Sequence, residues 1–208
     1  MAYKVSYFNI TALGEPLRFL CSYGNLDWED FRVEYTPGVP SQKWLELKSK
    51  MPYGQMPILE HEGKVAHQSV AISRFLAKKV KLVGKDDWEN LIIDSTVDTV
   101  ADFRAKIARY HYETDAAIKE SVKGPLFTEQ IPYYLKKLDE AAKTNGGFLA
   151  INRLTWADLY FVSQWDYLNG MAQIDLFSDY PNLQKVKKNV LAVQNIKTWI
   201  EKRPKTII

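Results

Sequence analysis

Cysteine and long apolar runs are what this 208-residue sequence most clearly lacks. Cys21 is its only cysteine, so the chain cannot form an internal disulfide, which is typical of proteins in a reducing compartment. No apolar run approaches the roughly 18 residues that a membrane-spanning helix needs, and the first residues do not follow the signal-peptide pattern. We therefore expect a soluble, cytoplasmic protein.

Excess charge and metal-ligating side chains are also scarce. The formal net charge is only +3, and the basic clusters at 78–81 and 185–188 fall on predicted helices without forming a continuous stripe, so nucleic-acid binding is not expected. Three scattered histidines and one cysteine give no transition-metal motif. Cys21 lies in an apolar helical stretch, where a core thiol is the expected role. If the protein is an enzyme, we expect its nucleophile to arrive with the substrate.

The first 80 residues alternate between strand and helix patterns. The order is β-α-β-α-β-β-α, for which we expect parallel crossovers first and an antiparallel hairpin around Gly63 last. From Trp88 onward only helical periods persist. The sequence thus predicts an α/β domain over 1–80, a linker over 81–87 and an all-helical domain over 88–208.

Five helices are predicted in the second domain. Their ranges are 88–112, 125–144, 155–169, 182–192 and 194–203. The clearest helix start is the segment LTWADL, where Thr155 can cap the helix and Asp158 can reach back to it, as in a capping box. We interpret this motif as a folding signal without a chemical role.

Pro57 does not fit its position in the first domain. It stands directly before the apolar strand pattern that starts at Ile58, although proline has no N–H to give to a sheet. Proline is tolerated at the first residue of a strand, at a bulge or at an edge. The pattern alone does not distinguish an ordinary strand start from a special backbone geometry.

Six segments, in order and at natural spacing, carry a family resemblance. They are YFNITALGEPLR (7–18), MPYGQMPILE (51–60), HQSVAISRFL (67–76), GKDDWENL (84–91), VDTVADFRAKIARYHYE (97–113) and LTWADLYF (154–161). On these residues the chain resembles the sigma-class glutathione S-transferases, most of all the insect branch that includes a cockroach allergen. The resemblance implies a thioredoxin-like N-terminal domain, an all-α C-terminal domain, a homodimer, glutathione as co-substrate, and neither a cofactor nor a metal.

The implied glutathione site lies mainly in the first domain. The family's proline at the position of Pro57 is cis, which turns the backbone of the preceding residue, here Met56, toward glutathione. Ser69 opens a helix whose N–H groups would hold the γ-glutamyl carboxylate, although by itself it reads as an N-cap. The implied contacts are Tyr7, Trp44, Lys48, Gln55, Met56, Pro57, Gln68, Ser69 and, from the partner subunit, Asp102.

Tyr7 is the implied catalytic residue. A free thiol with a pKa of about 8.5 is only a few per cent ionised at neutral pH, whereas the thiolate is the nucleophile. A neutral phenol can donate its O–H to that thiolate, and lowering the thiol pKa by about two units takes ~2.7 kcal/mol. From the residues alone, a core tyrosine is the alternative, because strands favour aromatic side chains.

The resemblance implies an apolar electrophile site between the two domains. Its implied walls are Phe8, Leu13, Arg104, Ile107, Tyr110, Tyr160 and Ile208. Leu13 departs from the vertebrate prostaglandin-isomerising members, which carry an arginine at the matching position. Because a leucine side chain can neither donate a hydrogen bond nor carry charge, this departure weakens the case for prostaglandin isomerisation more than the case for conjugation.

Asp94, Asp98 and Asp102 form an acidic stripe at helical spacing. Like charges four residues apart mildly destabilise an isolated helix, so either a positive group faces the stripe or solvent does. The resemblance places it at a dimer interface, with Asp102 reaching the α-ammonium group of glutathione in the neighbouring site. The residues matching a divalent-ion trio in vertebrate relatives are Asp98, Ala101 and Asp102; alanine offers no ligand, so activation by magnesium or calcium is not expected.

The sequence therefore predicts a glutathione transferase that conjugates the glutathione thiolate to hydrophobic electrophiles such as lipid-peroxidation products, with peroxidase activity as a further option. Two alternatives stay open. One is a glutathione-dependent prostaglandin D synthase, and the other is a non-catalytic binding or structural protein of the kind found among lens crystallins.

Overall fold

The computed structural model describes residues 2–206, so Ile208, one of the implied electrophile-site residues, lies outside the described residues. The chain divides into two compact units. The first consists of the residues up to Leu82 together with those from Ala192 onward, and the second is Val83–Leu191. Within residues 2–206, no helix is both long enough and apolar enough to cross a membrane.

The first unit is built on a four-stranded sheet in the order β2-β1-β3-β4. Its strands are β1 (Tyr3–Phe8), β2 (Trp28–Val33), β3 (Ile58–His61) and β4 (Lys64–His67). β1 and β2 are parallel, as predicted, and β3 and β4 form the predicted antiparallel hairpin. β3 also runs antiparallel to β1, so the expectation of a second parallel crossover was wrong. A hydrophobic pattern specifies which faces of a strand are buried and leaves its direction open.

Three helices of the first unit follow the predicted signals. They are α1 (Glu15–Tyr23), α2 (Gln42–Lys48) and α3 (Ser69–Lys79). Pro16 occupies the first turn of α1, where its missing N–H is not needed. The Ser41 hydroxyl caps α2 by accepting the Trp44 N–H at 3.2 Å. α1 packs against α3, and fully buried Leu17 and Leu76 belong to this core.

The second unit is all-helical. Its helices are α4 (Asp87–Tyr112), α5 (Ala116–Pro125), α6 (Ile131–Thr144), α7 (Trp156–Ser163), α8 (Trp165–Ala172) and α9 (Pro181–Leu191). Every residue of α7 is buried, and its N-terminus carries the predicted capping box of Thr155 and Asp158. The helical periods therefore identified this architecture.

Two details of the second unit differ from the prediction. The segment before residue 125 contains α5, whose cap is the Asp115 carboxylate accepting the N–H groups of Ala117 and Ile118. A π-helical turn over Leu126–Gln130 joins α5 to α6, so Pro125 does not start a helix. The predicted helix 155–169 is divided into α7 and α8. Near the break, the Ser163 hydroxyl donates to the Tyr160 carbonyl at 2.7 Å, a back-bond that bends helices.

The last helix, α10 (Gln194–Lys202), belongs to the first compact unit and packs against α1. That the helical domain spans residues 88–208 stays a prediction. Trp199 Nε1 and Arg203 Nη1 each donate to the Glu15 Oε1 atom at 2.8 Å. Helical periodicity predicts this helix but does not reveal that its Trp199 side chain binds the buried Glu15 carboxylate.

Candidate active site

Tyr7 lies in β1 and is 6% exposed. Its phenol oxygen accepts the backbone N–H of Leu13 at 3.4 Å, and the guanidinium carbon of Arg18 is 5.9 Å from the centre of its ring. Both groups place positive potential on the phenol, which favours developing negative charge there. A phenol that accepts one N–H still carries its own O–H, which it can donate to a substrate atom.

The segment that follows β1 is fitted closely to the Tyr7 ring. Gly14 is buried, and a Cβ atom at this position would overlap the Tyr7 ring. Residue 14 therefore has to be glycine for the turn Ala12–Gly14 to approach the tyrosine. Because of this approach, Leu13 contributes its backbone N–H to the site, a contribution that side-chain chemistry could not predict.

A buried ionic network supports the same segment. Arg18 Nη1 donates to the Ile10 carbonyl at 2.6 Å, and Nη2 donates to the Phe8 carbonyl at 3.1 Å. The Arg18 guanidinium also pairs with Glu15 at 3.2 Å and with Asp30 at 2.9 Å, and the side chains of Arg18 and Glu15 are fully buried. We call these contacts, with those of Trp199 and Arg203, the Glu15 network. It fixes the backbone on both sides of the turn after Tyr7, and sequence analysis did not find it.

The Met56–Pro57 peptide bond is cis, as the family resemblance implied. Pro57 is buried directly before β3, Met56 is half-buried and Gln55 is exposed. The proline thus precedes the ladder and takes no hydrogen-bonding position within it. That these residues contact glutathione stays a prediction.

The start of α3 combines a strained residue with a helix N-terminus. Gln68 has φ 74° and ψ 107°, a conformation that residues other than glycine rarely adopt. Ser69 is the first residue of α3, and its side chain is nearly buried. Strain of this kind is concentrated at ligand-binding positions, and the N–H groups of the first turn can bind an anion. Nothing in the sequence signalled the Gln68 conformation.

Trp44 and Lys48 lie on α2, at its first and last turns. The Trp44 ring packs edge-on against Phe8, with ring centroids 5.2 Å apart. Phe8 in turn contacts the Tyr7 ring at 5.6 Å. Lys48 is exposed. The first unit therefore brings together an aromatic row of Tyr7, Phe8 and Trp44.

The acidic stripe and the other implied residues lie in the second unit. Asp98 and Asp102 are exposed on α4, and Asp94 is half-buried. Ile107 and Tyr160 are 0% and 1% exposed, so neither presents surface to a small molecule, and their assignment to the electrophile site stays a prediction. Burial raises the pKa of Tyr160 to about 12, which keeps its phenol protonated.

Two other side chains complete the electrophile-site prediction in this unit. Arg104 is half-buried, and its Nε atom has no hydrogen-bond partner among residues 2–206. Tyr110 is also half-buried and packs edge-on against Phe127, with ring centroids 5.3 Å apart. Both side chains retain exposed surface, as a role in binding requires.

Cys21 and the acidic groups offer no alternative chemistry in the described part of the chain. Cys21 is completely buried, and burial raises the pKa of its thiol, so the nucleophilic thiolate is disfavoured. Across residues 2–206, no group of three or more His, Cys, Asp or Glu side chains could hold a metal ion.

Comparison with known proteins gives a consistent result over the whole chain. Residues 3–78 match the family model described as "Glutathione S-transferase, N-terminal domain", and residues 101–203 match "Glutathione S-transferase, C-terminal domain". The chain is 53% identical to a glutathione S-transferase of Anopheles gambiae, with 98% of both chains covered. It is 50% identical to glutathione S-transferase S1 of Drosophila melanogaster, covering 99% of this chain and 80% of that protein.

A solved structure supports the same assignment. The structure of prostaglandin synthase D of Nilaparvata lugens superposes with a TM-score of 0.91 at 39% identity, covering 99% of this chain and all of that one. The arrangement of sheet and helices is therefore that of a thioredoxin-like N-terminal domain followed by an all-α C-terminal domain. Sequence and structure together show that this chain belongs to the glutathione S-transferase family.

Proposed function

We propose that this transferase is a sigma-class enzyme that conjugates the thiolate of glutathione to hydrophobic electrophiles, including lipid-peroxidation products. The observation that carries the proposal is Tyr7, whose phenol accepts the Leu13 N–H and lies beside the Arg18 guanidinium. Glutathione is the co-substrate of this family, so the nucleophile enters with it. A cytoplasmic location and the likeness to the insect allergen belong to the same proposal.

The proposed reaction requires the protein only to stabilise the glutathione thiolate. The glutathione thiol loses its proton to solvent, and the Tyr7 O–H donates to the resulting thiolate. The sulfur lone pair then forms a carbon–sulfur bond with the electrophile. In a substitution the leaving group departs with the electron pair, and in a conjugate addition the carbanion takes a proton from solvent. Tyr7 needs only to stabilise the thiolate, because conjugation begins from that ion.

In this proposal the cis Pro57, Gln68 and Ser69 hold the peptide backbone of glutathione. The first turn of α3 offers N–H groups to the γ-glutamyl carboxylate. Trp44 and Lys48 hold the glycine end, where a lysine can pair with the terminal carboxylate. Gln55 and Met56 pair with the cysteinyl backbone. The electrophile lies on the aromatic side of Tyr7, where Phe8 supplies an apolar surface.

Tyr7→Phe tests the catalytic proposal. We expect glutathione affinity and the unfolding midpoint to stay close to wild type, and conjugation of an aryl halide at pH about 6.5 to fall tenfold or more, because only the donor to the thiolate is lost. Tyr23→Phe, at the end of α1, is the matched control and should not change turnover. Unchanged turnover in Tyr7→Phe would remove Tyr7 from its role. Retention on glutathione agarose without any wild-type turnover would favour the non-catalytic alternative.

We propose further that the enzyme is a homodimer and that Asp102 completes the site of the partner subunit. Asp102 is exposed on α4, and a carboxylate at this position can bind the α-ammonium group of glutathione. Asp102→Asn should weaken glutathione binding by about tenfold, since a charge-assisted hydrogen bond contributes ~1.5–3 kcal/mol. Asp98→Asn, one turn earlier on the same exposed face, is the matched control and should change affinity little.

Subunit mixing separates action within a chain from action across the interface. A verified heterodimer of Tyr7→Phe and Asp102→Asn subunits has one doubly defective site and one intact site if sites are shared. Activity should then recover to about half of wild type. If the heterodimer shows no recovery, Asp102 acts within its own chain.

Prostaglandin isomerisation is a second candidate. The observation that favours it is the likeness to the structure of prostaglandin synthase D of Nilaparvata lugens. Leu13 offers no side-chain donor at the position of the vertebrate arginine, but its backbone N–H reaches Tyr7. Measuring endoperoxide isomerisation beside aryl-halide conjugation, at the same glutathione concentration, distinguishes the two activities.

A further inference from the structure

The loop between β2 and α2 lines an open cavity of about 280 Å³ in the first unit. It is lined chiefly by Phe8, Glu34, Tyr35, Val39, Pro40 and Trp44. This volume lies just below the usual range for ligand sites of ~300–1,000 Å³. The implied glutathione and electrophile residues include only Phe8 and Trp44 from this lining, so most of the cavity has no role so far.

Three aromatic rings form one side of the cavity. Phe8 contacts Tyr35 with centroids 5.7 Å apart and Trp44 with centroids 5.2 Å apart, in tilted and edge-on orientations. Rings at such angles present more than one face and edge to the cavity. Trp44 is held at the start of α2 by the Ser41 cap. The aromatic wall is therefore anchored on a strand and on a helix.

A tight turn also lines the cavity. The Val39 N–H donates to the Thr36 carbonyl at 3.1 Å, and Gly38 has φ 74°. This turn leaves Val39 62% exposed. An exposed apolar residue at the mouth of an aromatic cavity is suited to contact a ligand.

The Glu34 carboxylate makes the cavity favour a positively charged ligand. Its side chain is exposed, and among residues 2–206 neither an ion pair nor a hydrogen bond engages its carboxylate. Aromatic faces attract cations through their quadrupole, and a carboxylate beside them adds a direct charge. The same combination repels anions and gives a neutral ligand no electrostatic advantage.

We propose that the cavity formed by Phe8, Glu34, Tyr35, Val39 and Trp44 binds a small organic cation with an alkylated ammonium group. The rings surround the alkyl groups, and Glu34 pairs with the positive charge. The site shares Phe8 and Trp44 with the contacts proposed above for the electrophile and for the glycine end of glutathione, and none of its contacts requires Tyr7 to act. Its ligand is a free small molecule, because a cavity of about 280 Å³ has room for a compact group only.

Choline and 3,3-dimethylbutan-1-ol test the proposal as a matched pair, because they have the same shape and differ in charge. Each is titrated into the full-length protein while backbone amide shifts are followed by NMR. We expect saturable shifts centred on residues 34–44 for choline, with binding at least about tenfold tighter than for the neutral alcohol. Glu34→Gln should weaken choline binding about fivefold or more and leave the alcohol unchanged.

Glu29→Gln is the control, since it removes an exposed carboxylate on β2 that does not line the cavity. Tyr35→Leu keeps an apolar wall while removing one ring. It should weaken the binding of choline more than the binding of the alcohol. Equal binding of choline and the alcohol would overturn the cation site and leave an apolar cavity. Shifts centred away from Phe8 and residues 34–44, an effect of Glu29→Gln equal to that of Glu34→Gln, or no saturation up to about 50 mM choline would also overturn it.

Discussion

Glu15→Ala is expected to lower the free energy of unfolding by about 3–5 kcal/mol, because breaking one side of a buried ion pair leaves the other charge uncompensated. Glu15 and Arg18 both have fully buried side chains and lie 3.2 Å apart. The Glu15 carboxylate also accepts N–H groups from Trp199 and Arg203, at 2.8 Å each.

The second consequence of Glu15→Ala concerns α10. Trp199 also packs against Trp28, with centroids 5.3 Å apart, so part of the contact survives the substitution. We expect α10 to exchange its amide hydrogens faster while β1 and β3 remain protected, because the two hydrogen bonds to Glu15 join α10 to α1. Urea unfolding and hydrogen exchange measure the two effects separately.

Glu29→Ala provides the control for this experiment, since its carboxylate is exposed on β2 and such surface substitutions change stability by about 0.5 kcal/mol or less. If Glu15→Ala lowers the free energy of unfolding no more than Glu29→Ala does, the Glu15 network does not stabilise the fold. Unchanged exchange in α10 would show that Glu15 does not hold this helix.

Asp158→Asn is expected to destabilise the protein by about 3 kcal/mol or more, because buried donors lose their acceptors. Asp158 is fully buried, and its two oxygens accept the N–H groups of Leu149 at 2.7 Å and Thr155 at 2.8 Å. The Thr155 hydroxyl lies 3.1 Å from the same carboxylate. An amide group has only one acceptor oxygen, so its NH₂ must face one of these donors. Unfolding in urea at pH about 4.5 measures the loss.

The contribution of Asp158 to the free energy of unfolding also depends on pH. Burial raises the pKa of its carboxyl from 3.8 to about 6, against the opposing effect of its hydrogen bonds. Because the folded-state pKa is raised, the stabilising contribution is complete below the unfolded-state pKa and is lost as pH rises through about 6. The expected change is about 3 kcal/mol, at ~1.36 kcal/mol per pKa unit.

The stability difference between wild type and Asp158→Asn should therefore shrink as pH rises from about 4.5 to 7.5. Asp179→Asn, which removes an exposed carboxyl between α8 and α9, is the control. Its free energy of unfolding should change with pH in the same way as that of wild type over this range. A difference that grows with pH would show that hydrogen bonding outweighs burial at Asp158. An Asp158→Asn protein as stable as the control at pH about 4.5 would refute the capping role itself.

The sequence by itself determined most of the elements. Alternation and helical periods, with local caps, predicted all four strands and the helices α1 to α4, because such signals depend on residues a few positions apart. The capping box at Thr155 and Asp158 is also local, and it was found before the fold was known. The cis bond before Pro57 followed from family resemblance, since a proline alone allows either isomer.

Only the tertiary structure decided how these elements support Tyr7. The Leu13 N–H reaches the phenol because Gly14 allows a close turn, and a backbone donor leaves no mark in side-chain chemistry. Glu15 meets Arg203 across 188 positions of the chain, beyond any local pattern. The direction of β3, and the aromatic rings that line one cavity with Glu34, also depend on contacts between residues far apart in the sequence. Periodicity tells which face of an element is buried, whereas the partner that buries it is chosen by packing of the whole chain.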